Sequence, residues 1–218
     1  MYILEGNIGV GKSTFLRLVS QHCPDITTVQ EPVASWASQD HGKSLLGQFY
    51  QNPTRWAYTM ETLSMVTRVK DHVSHQVNPD TRRIMERSVY SGHYCFAING
   101  QQNGFFHDIE WFVYSQWVDF LLHKRCNPPR GFIYLRAEPE VCMSRVTKRA
   151  RSSESALELG YMKQIHDRHD KFLIEKEDVH HTLENIPVLV LDCNQEFENN
   201  KLVLDEHINK IKAFLTIR

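Results

Sequence analysis

The segment Gly6-Asn7-Ile8-Gly9-Val10-Gly11-Lys12-Ser13-Thr14 constrains this chain more than any other. It has the form G-x-x-x-x-G-K-[ST] and lies between an apolar run, Tyr2–Glu5, and a stretch of helical spacing, Lys12–Gln21. In a strand–loop–helix setting the glycines let successive backbone N–H groups face a phosphate chain, and the helix N-terminus adds positive potential. A lysine at this offset reaches the terminal phosphates, and the following hydroxyl is placed for Mg2+. Lys12 and Ser13 take those parts here. A glycine-rich turn that only reversed the chain would not require Lys-Ser there. The loop therefore predicts nucleotide binding at the edge of an α/β sheet.

Four further apolar runs, Ile26–Gln30, Ile84–Glu86, Gly131–Arg136 and Ile186–Asp192, have the brevity and composition of strands buried on both faces. Between them Leu45–Tyr50, Arg55–Gln76, Asp108–Leu122, Pro139–Arg149, Leu159–Glu177 and Leu202–Leu215 carry helical patterns. The alternation predicts a P-loop NTPase-type, five-stranded parallel sheet flanked by helices, with right-handed crossovers. A length of 218 residues predicts a single domain. The polar, serine-rich stretch Arg149–Leu159 (RARSSESALEL) is expected to form an arginine-rich lid; its plainer reading is a solvated helix end.

Charge and composition remove several function classes. Lys and Arg number 25 against 26 Asp and Glu, a net charge of −1, so a long polyanion such as nucleic acid is not the expected partner. No apolar run approaches the roughly 18 residues of a membrane span. The opening Met1-Tyr2-Ile3-Leu4 reaches Glu5 at once and reads as neither signal nor transit peptide. The five cysteines are widely spaced and never in C-x-x-C, which predicts reduced thiols in a cytoplasmic setting. The pairs His72/His75 and His166/His169 can each share a helical face, but without a third ligand they read as surface histidines rather than a zinc site. A GTPase would need N-K-x-D; Asn200-Lys201-Leu202-Val203 and Asn209-Lys210-Ile211-Lys212 both lack the aspartate.

Three more clusters carry chemistry. Glu31 follows the second strand in Glu31-Pro32-Val33-Ala34-Ser35-Trp36. Ligands of open α/β sheets bind beyond the carboxyl ends of strands, so this carboxylate should enter the P-loop crevice and can accept a proton from an attacking hydroxyl. Glu86-Arg87-Ser88 ends the third strand. Arg87 can offset charge on a transferring group, while Glu86 can hold Mg2+ through water or act as the base. Arg145 and Arg149 stand four apart on one helix face, so both can point at one phosphate chain, and Arg151 begins the expected lid.

With these residues in place, the chain resembles the deoxyribonucleoside kinases of the deoxycytidine/deoxyguanosine kinase and insect multisubstrate type. GNIGVGKST, EPVASW, LLGQFYQNPTRW, MERSVYSGHYCF, YLRAEPEV, RARSSE and LDCNQEF carry the resemblance, in order and nearly end to end. It implies transfer of the ATP γ-phosphate to the 5′-hydroxyl of a deoxynucleoside, with Glu31 as general base and Arg87 supporting it. By the same carry-over, Tyr50 and Glu86 fix the sugar 3′-hydroxyl region, Glu154 meets the sugar from the lid, and Trp36 and Phe96 flank the base. Gln195-Glu196-Phe197 stands where the family holds adenine. The family forms dimers through helices, for which Arg55–Gln76 and Asp108–Leu122 are the candidates; their apolar stripes could equally be ordinary core. Two positions depart from the pattern. The glutamine expected five residues after Trp56 is Glu61, and Arg68 is kept while Gly92 replaces the acid that elsewhere accompanies it. An ionised carboxylate only accepts hydrogen bonds, and guanine alone offers two adjacent donors on its Watson–Crick edge, so Glu61 predicts a lean toward deoxyguanosine. Arg68, two helical turns along the same face, could instead pair with Glu61. A thymidylate-type monophosphate kinase and a non-catalytic relative of the fold are the competing readings.

Overall fold

The computed structural model describes residues 1–31, 44–77 and 82–216. Trp36 therefore lies outside the described residues. β1 (Tyr2–Gly6), β2 (Thr27–Val29), β3 (Arg83–Glu86), β4 (Gly131–Arg136) and β5 (Val188–Asp192) form one all-parallel sheet in the order β2-β3-β1-β4-β5. The register pairs Leu4 with Glu86 on one side of β1 and with Ile133 on the other. Period-2 alternation divides the central strands between two cores. Leu4, Ile133 and Leu135 pack with Phe15 of α1 (Lys12–His22) and Ile211 of the C-terminal helix on one face. Ile3, Phe132 and Tyr134 pack with Met65 and Phe172 on the other.

Strand ends differ slightly from expectation. β5 starts at Val188 rather than Ile186, because Pro187 has no N–H to give the ladder, although its carbonyl accepts from Phe132 N at 2.9 Å. Helices α2 (Leu45–Gln51) and α3 (Pro53–Gln76) meet at Asn52, whose side chain accepts from Arg55 N while Pro53 takes the first helical position. After β3 comes a helix that the sequence patterns do not announce. Val89–Ser91, a π-helical Gly92–Ala97 and Ile98–Gln102 run on as one element, α4. Val89, Tyr90, Ser91, Tyr94, Cys95, Ala97 and Asn99 are all buried, so α4 has no polar stripe to give it a period.

The remaining helices are α5 (Asp108–Val118, continued by a π segment Asp119–His123), α6 (Pro139–Arg149) and α7 (Leu159–Asp170, continued by a π segment Lys171–Glu175). A short α8 (His181–Glu184) and α9 (Lys201–Thr216) complete the helices of the described residues. Between α6 and α7 the serine-rich stretch forms a 3-10 turn, Ser152–Glu154. Among the described residues no helix is long and apolar enough to cross a membrane, and no group of three His, Cys, Asp or Glu is arranged to hold a metal. His72, His166 and His169 are buried rather than on the surface, His72 and His169 bonding the backbone carbonyls of Asn127 and Ile165.

Candidate active site

The carboxyl ends of β1, β2 and β3 deliver the loop, Glu31 and Glu86-Arg87 to one edge of the sheet. All three loop glycines are required by geometry, Gly6 with φ +146° and a Cβ that would meet the Leu135 carbonyl oxygen at 2.5 Å. Gly9 has φ +79°, and a Cβ there would meet the Cys142 carbonyl oxygen at 2.5 Å. Gly11 has φ +108°, and a Cβ there would lie 2.8 Å from the Phe197 ring. Lys12 is buried and donates to the carbonyls of Gly6 (3.0 Å) and Asn7 (2.9 Å). Burial, seconded by Arg87, pushes its ammonium down to about 7. A cation so placed gains most from an anionic ligand, which is what a phosphate supplies. Ser13 Oγ donates to Glu86 Oε1 at 2.9 Å, joining two hard oxygen donors of the kind Mg2+ takes alongside phosphates.

Glu31 is held by two guanidiniums. Arg68 donates to Oε1 through Nε (3.0 Å) and Nη2 (2.6 Å), and Arg87 Nε lies 3.4 Å from Oε2. Burial pushes the Glu31 carboxyl up, but Arg68 and Arg87, with Lys12 beyond them, outweigh it and hold the group below the ordinary carboxylate range. Arg87 itself occupies the left-handed region at φ +59°. A bulky residue held there costs about 1–3 kcal/mol, and such strain clusters at functional sites. Its backbone N–H bonds Leu4 O, its Nη2 bonds Gly6 O at 3.1 Å, and its guanidinium covers the Phe96 ring at 4.7 Å. Behind it Glu5 is fully buried, accepts from Ser88 Oγ at 2.6 Å and is raised by burial. Glu5 escaped sequence reasoning because a carboxylate inside an apolar strand run reads as the end of that run.

Two cavities open along this edge. The first, about 500 Å³, is lined by the loop from Gly9 to Thr14 together with Arg145, Lys148, Glu196 and Phe197. The second, about 340 Å³, is lined by Glu31, Tyr50, Glu61, Arg68, Phe96 and Glu154, with Phe49, Met60 and Tyr161 on its apolar wall. Gly9, Lys12, Ser13, Glu86, Arg149 and Arg151 line both. Tyr161 was not anticipated. It comes from α7, far along the chain, and packs edge-on against Tyr50 at 6.2 Å, a pairing that no local spacing encodes.

Other expected residues sit less directly. Arg145 does not aim jointly with Arg149, because its guanidinium donates to the carbonyls of Val10, Cys193 and Gln195 and ties the loop to the segment after β5. Arg149 instead donates to both oxygens of buried Glu154, at 2.8 and 2.7 Å, and Arg151 lies 3.7 Å from it. Phe197 is buried against Phe15, Glu196 caps its own turn through Glu198 N and Asn199 N, and the Gln195 side chain is absent from both linings. Asn7 bonds Met162 O and Ile8 N and serves the loop's shape. Gly92 stands behind Arg68 rather than in the cavity wall. Glu61 is 6% exposed, accepts a 3.4 Å bond from Ser64 Oγ, and is raised to about 7 by burial against the pull of Arg68. The guanidinium of Arg68 makes its bonds at 3.0 and 2.6 Å to Glu31.

The family model described as Deoxynucleoside kinase matches residues 2–216. The chain belongs to the deoxynucleoside kinase family. Curated relatives agree over nearly the full length. Deoxycytidine kinase 2 of Gallus gallus is 36% identical, covering 98% of this chain and 89% of the relative. Deoxyguanosine kinase, mitochondrial, of Xenopus laevis is 37% identical, covering 97% and 88%. Deoxycytidine kinase of Homo sapiens is 30% identical, covering 98% and 90%. For a kinase of this family, two cavities that share a phosphate-binding loop are the arrangement that in-line transfer between two bound substrates needs.

Proposed function

We propose that the chain transfers the γ-phosphate of ATP to the 5′-hydroxyl of a deoxynucleoside within one domain, in the cytoplasm. The observation that carries this reading is the wall common to the two cavities: Lys12, Ser13, Glu86, Arg149 and Arg151 face both. The donor's phosphates occupy the larger cavity on the loop's backbone N–H groups. The nucleoside occupies the smaller one, its sugar near Tyr50, Glu86 and Glu154 and its base between Phe96 and Glu61. Glu31 takes the proton of the 5′-hydroxyl. A base held ionised by Arg68 and Arg87 stays ready to accept at neutral pH, and the paired arginines stabilise the charge that develops nearby. Ser13 and Glu86 would hold Mg2+ beside the phosphates, where it would offset their negative charge. Arg149 and Arg151 exchange Glu154 for the transferring group as the segment closes.

The Glu61 carboxylate favours guanine, since a bidentate match is worth about 1–3 kcal/mol over a mismatch. Five unpaired, buried cysteines support a reducing compartment. Ile109 (72% exposed) and Phe112 (62%) on α5, beside Val66 on α3, support a homodimer built on these helices. The test is release of ADP from ATP with a panel of deoxynucleosides and their monophosphates. Turnover of the nucleosides is expected; turnover of monophosphates alone would overturn the reading, since Glu31 and Glu61 would repel an acceptor phosphate.

A further inference from the structure

Gly92 has an ordinary helical backbone, φ −52° and ψ −48°, so its conformation does not call for glycine. A Cβ built there meets one group: Arg68, with Nη1 at 2.7 Å and Cζ at 3.8 Å. The opposite edge of the same guanidinium, Nε and Nη2, is the edge that holds Glu31 Oε1. The plane of Arg68 thus fills the gap between α4 and Glu31, and the missing side chain at position 92 is what leaves room for it.

We infer that Arg68 is a positioning residue for the catalytic base Glu31, and that Gly92 provides the space this role requires. The inference rests on the assignment of Glu31 as base in the proposed function. A methyl at position 92 moves the far end of a flexible side chain rather than backbone, so the fold tolerates it. The guanidinium, however, must move toward or past Glu31. Displacing a reacting group by about 1 Å can cost on the order of 10²-fold in rate. Arg68 therefore acts at the reacting end of the site, through Glu31.

The experiment is a double-mutant cycle on Gly92→Ala and Arg68→Gln, with kcat and nucleoside KM measured for each and melting temperature followed in parallel. Gly92→Ala is expected to leave the melting temperature unchanged or raised, because alanine is the better helix former. It should lower kcat about tenfold or more. Arg68→Gln should lower kcat more than it raises KM, and Arg68→Lys should recover part of the loss. In the Arg68→Gln background, Gly92→Ala should have no further effect, since the group it displaces is gone. A KM effect without a kcat effect at Arg68, or an additive cycle, would overturn the inference. Glu31→Gln is measured beside them. If it costs about 10²–10⁴-fold while the cycle is additive, only this inference falls. If it costs nothing, the base assignment falls and takes the inference with it.

Discussion

At the scale of single residues, the site keeps two groups near their titration points, Lys12 and Glu61. Burial lowers Lys12 to about 7 in the free protein. A bound polyphosphate restores the cation, so binding takes up a proton above that pH. Affinity for ATP should therefore fall as pH rises from about 7 toward 10, by at most about tenfold per unit. Calorimetry in buffers of different ionisation enthalpy checks this, since the apparent heat must change with the buffer. Glu61 runs the other way. Its carboxyl, about 4.5 when exposed, is raised to about 7 by burial. The free protein therefore carries this group's full contribution to stability below the unfolded value and loses it as pH rises through about 7. Protonated Glu61 offers one donor and one acceptor, as an amide does; ionised Glu61 only accepts. Selectivity for deoxyguanosine over deoxyadenosine, read as kcat/KM, should rise between about pH 6 and 8 by some part of a roughly 5- to 150-fold range. In Glu61→Gln the selectivity should be lower and should no longer change with pH.

Among elements, the turn between α6 and α7 has the clearest consequence. Glu154 gathers Arg149 and Arg151 while lying in the wall of the smaller cavity, so under the proposed function the arginines are stored next to the transferring group. Arg149→Ala and Arg151→Ala should each lower kcat by about 10²–10³-fold with a smaller change in nucleoside affinity, the pattern of groups acting on the transition state. Steady-state kinetics paired with equilibrium binding of the nucleoside separates the two. A loss confined to binding would make these residues part of the nucleoside's seat instead. α4 contributes differently: most of its residues are buried, and its π segment sets Phe96 in the cavity wall and Gly92 behind Arg68. Single-turn π features recur at functional sites because they re-aim side chains without ending a helix.

For the whole molecule, the unpartnered surface lies away from the site. Ile109, Phe112, Trp117 and Phe120 leave one side of α5 and its π extension apolar and exposed, and Val66 and Val73 do the same for α3, which packs against α5. For the homodimer proposed on these helices, Ile109→Asp combined with Phe112→Asp should convert it to a monomer by light scattering. Melting temperature should then depend less on protein concentration than in the wild type.

Much of this was already fixed by local chemistry. The loop Gly6–Thr14 declares itself because phosphate binding needs glycines, a lysine and a hydroxyl at set offsets from a strand end. The parallel sheet declares itself because strands covered on both faces must be apolar throughout. Glu31 and Glu86-Arg87 could be assigned to one crevice because residues just past parallel strands share an edge. Other features depended on partners distant in the chain. α4 was invisible because burial of most of its residues erases the period that marks a helix. Tyr161 and Glu5 were invisible because neither is placed by its neighbours in sequence. Spacing on α3 left Arg68 free to pair with Glu61 seven residues earlier. The fold joins it to Glu31, brought from β2, through bonds of 3.0 and 2.6 Å. A guanidinium takes the carboxylate that packing puts in its plane, and packing is decided by the sheet order and by the space above Gly92, neither of which a helix can encode alone.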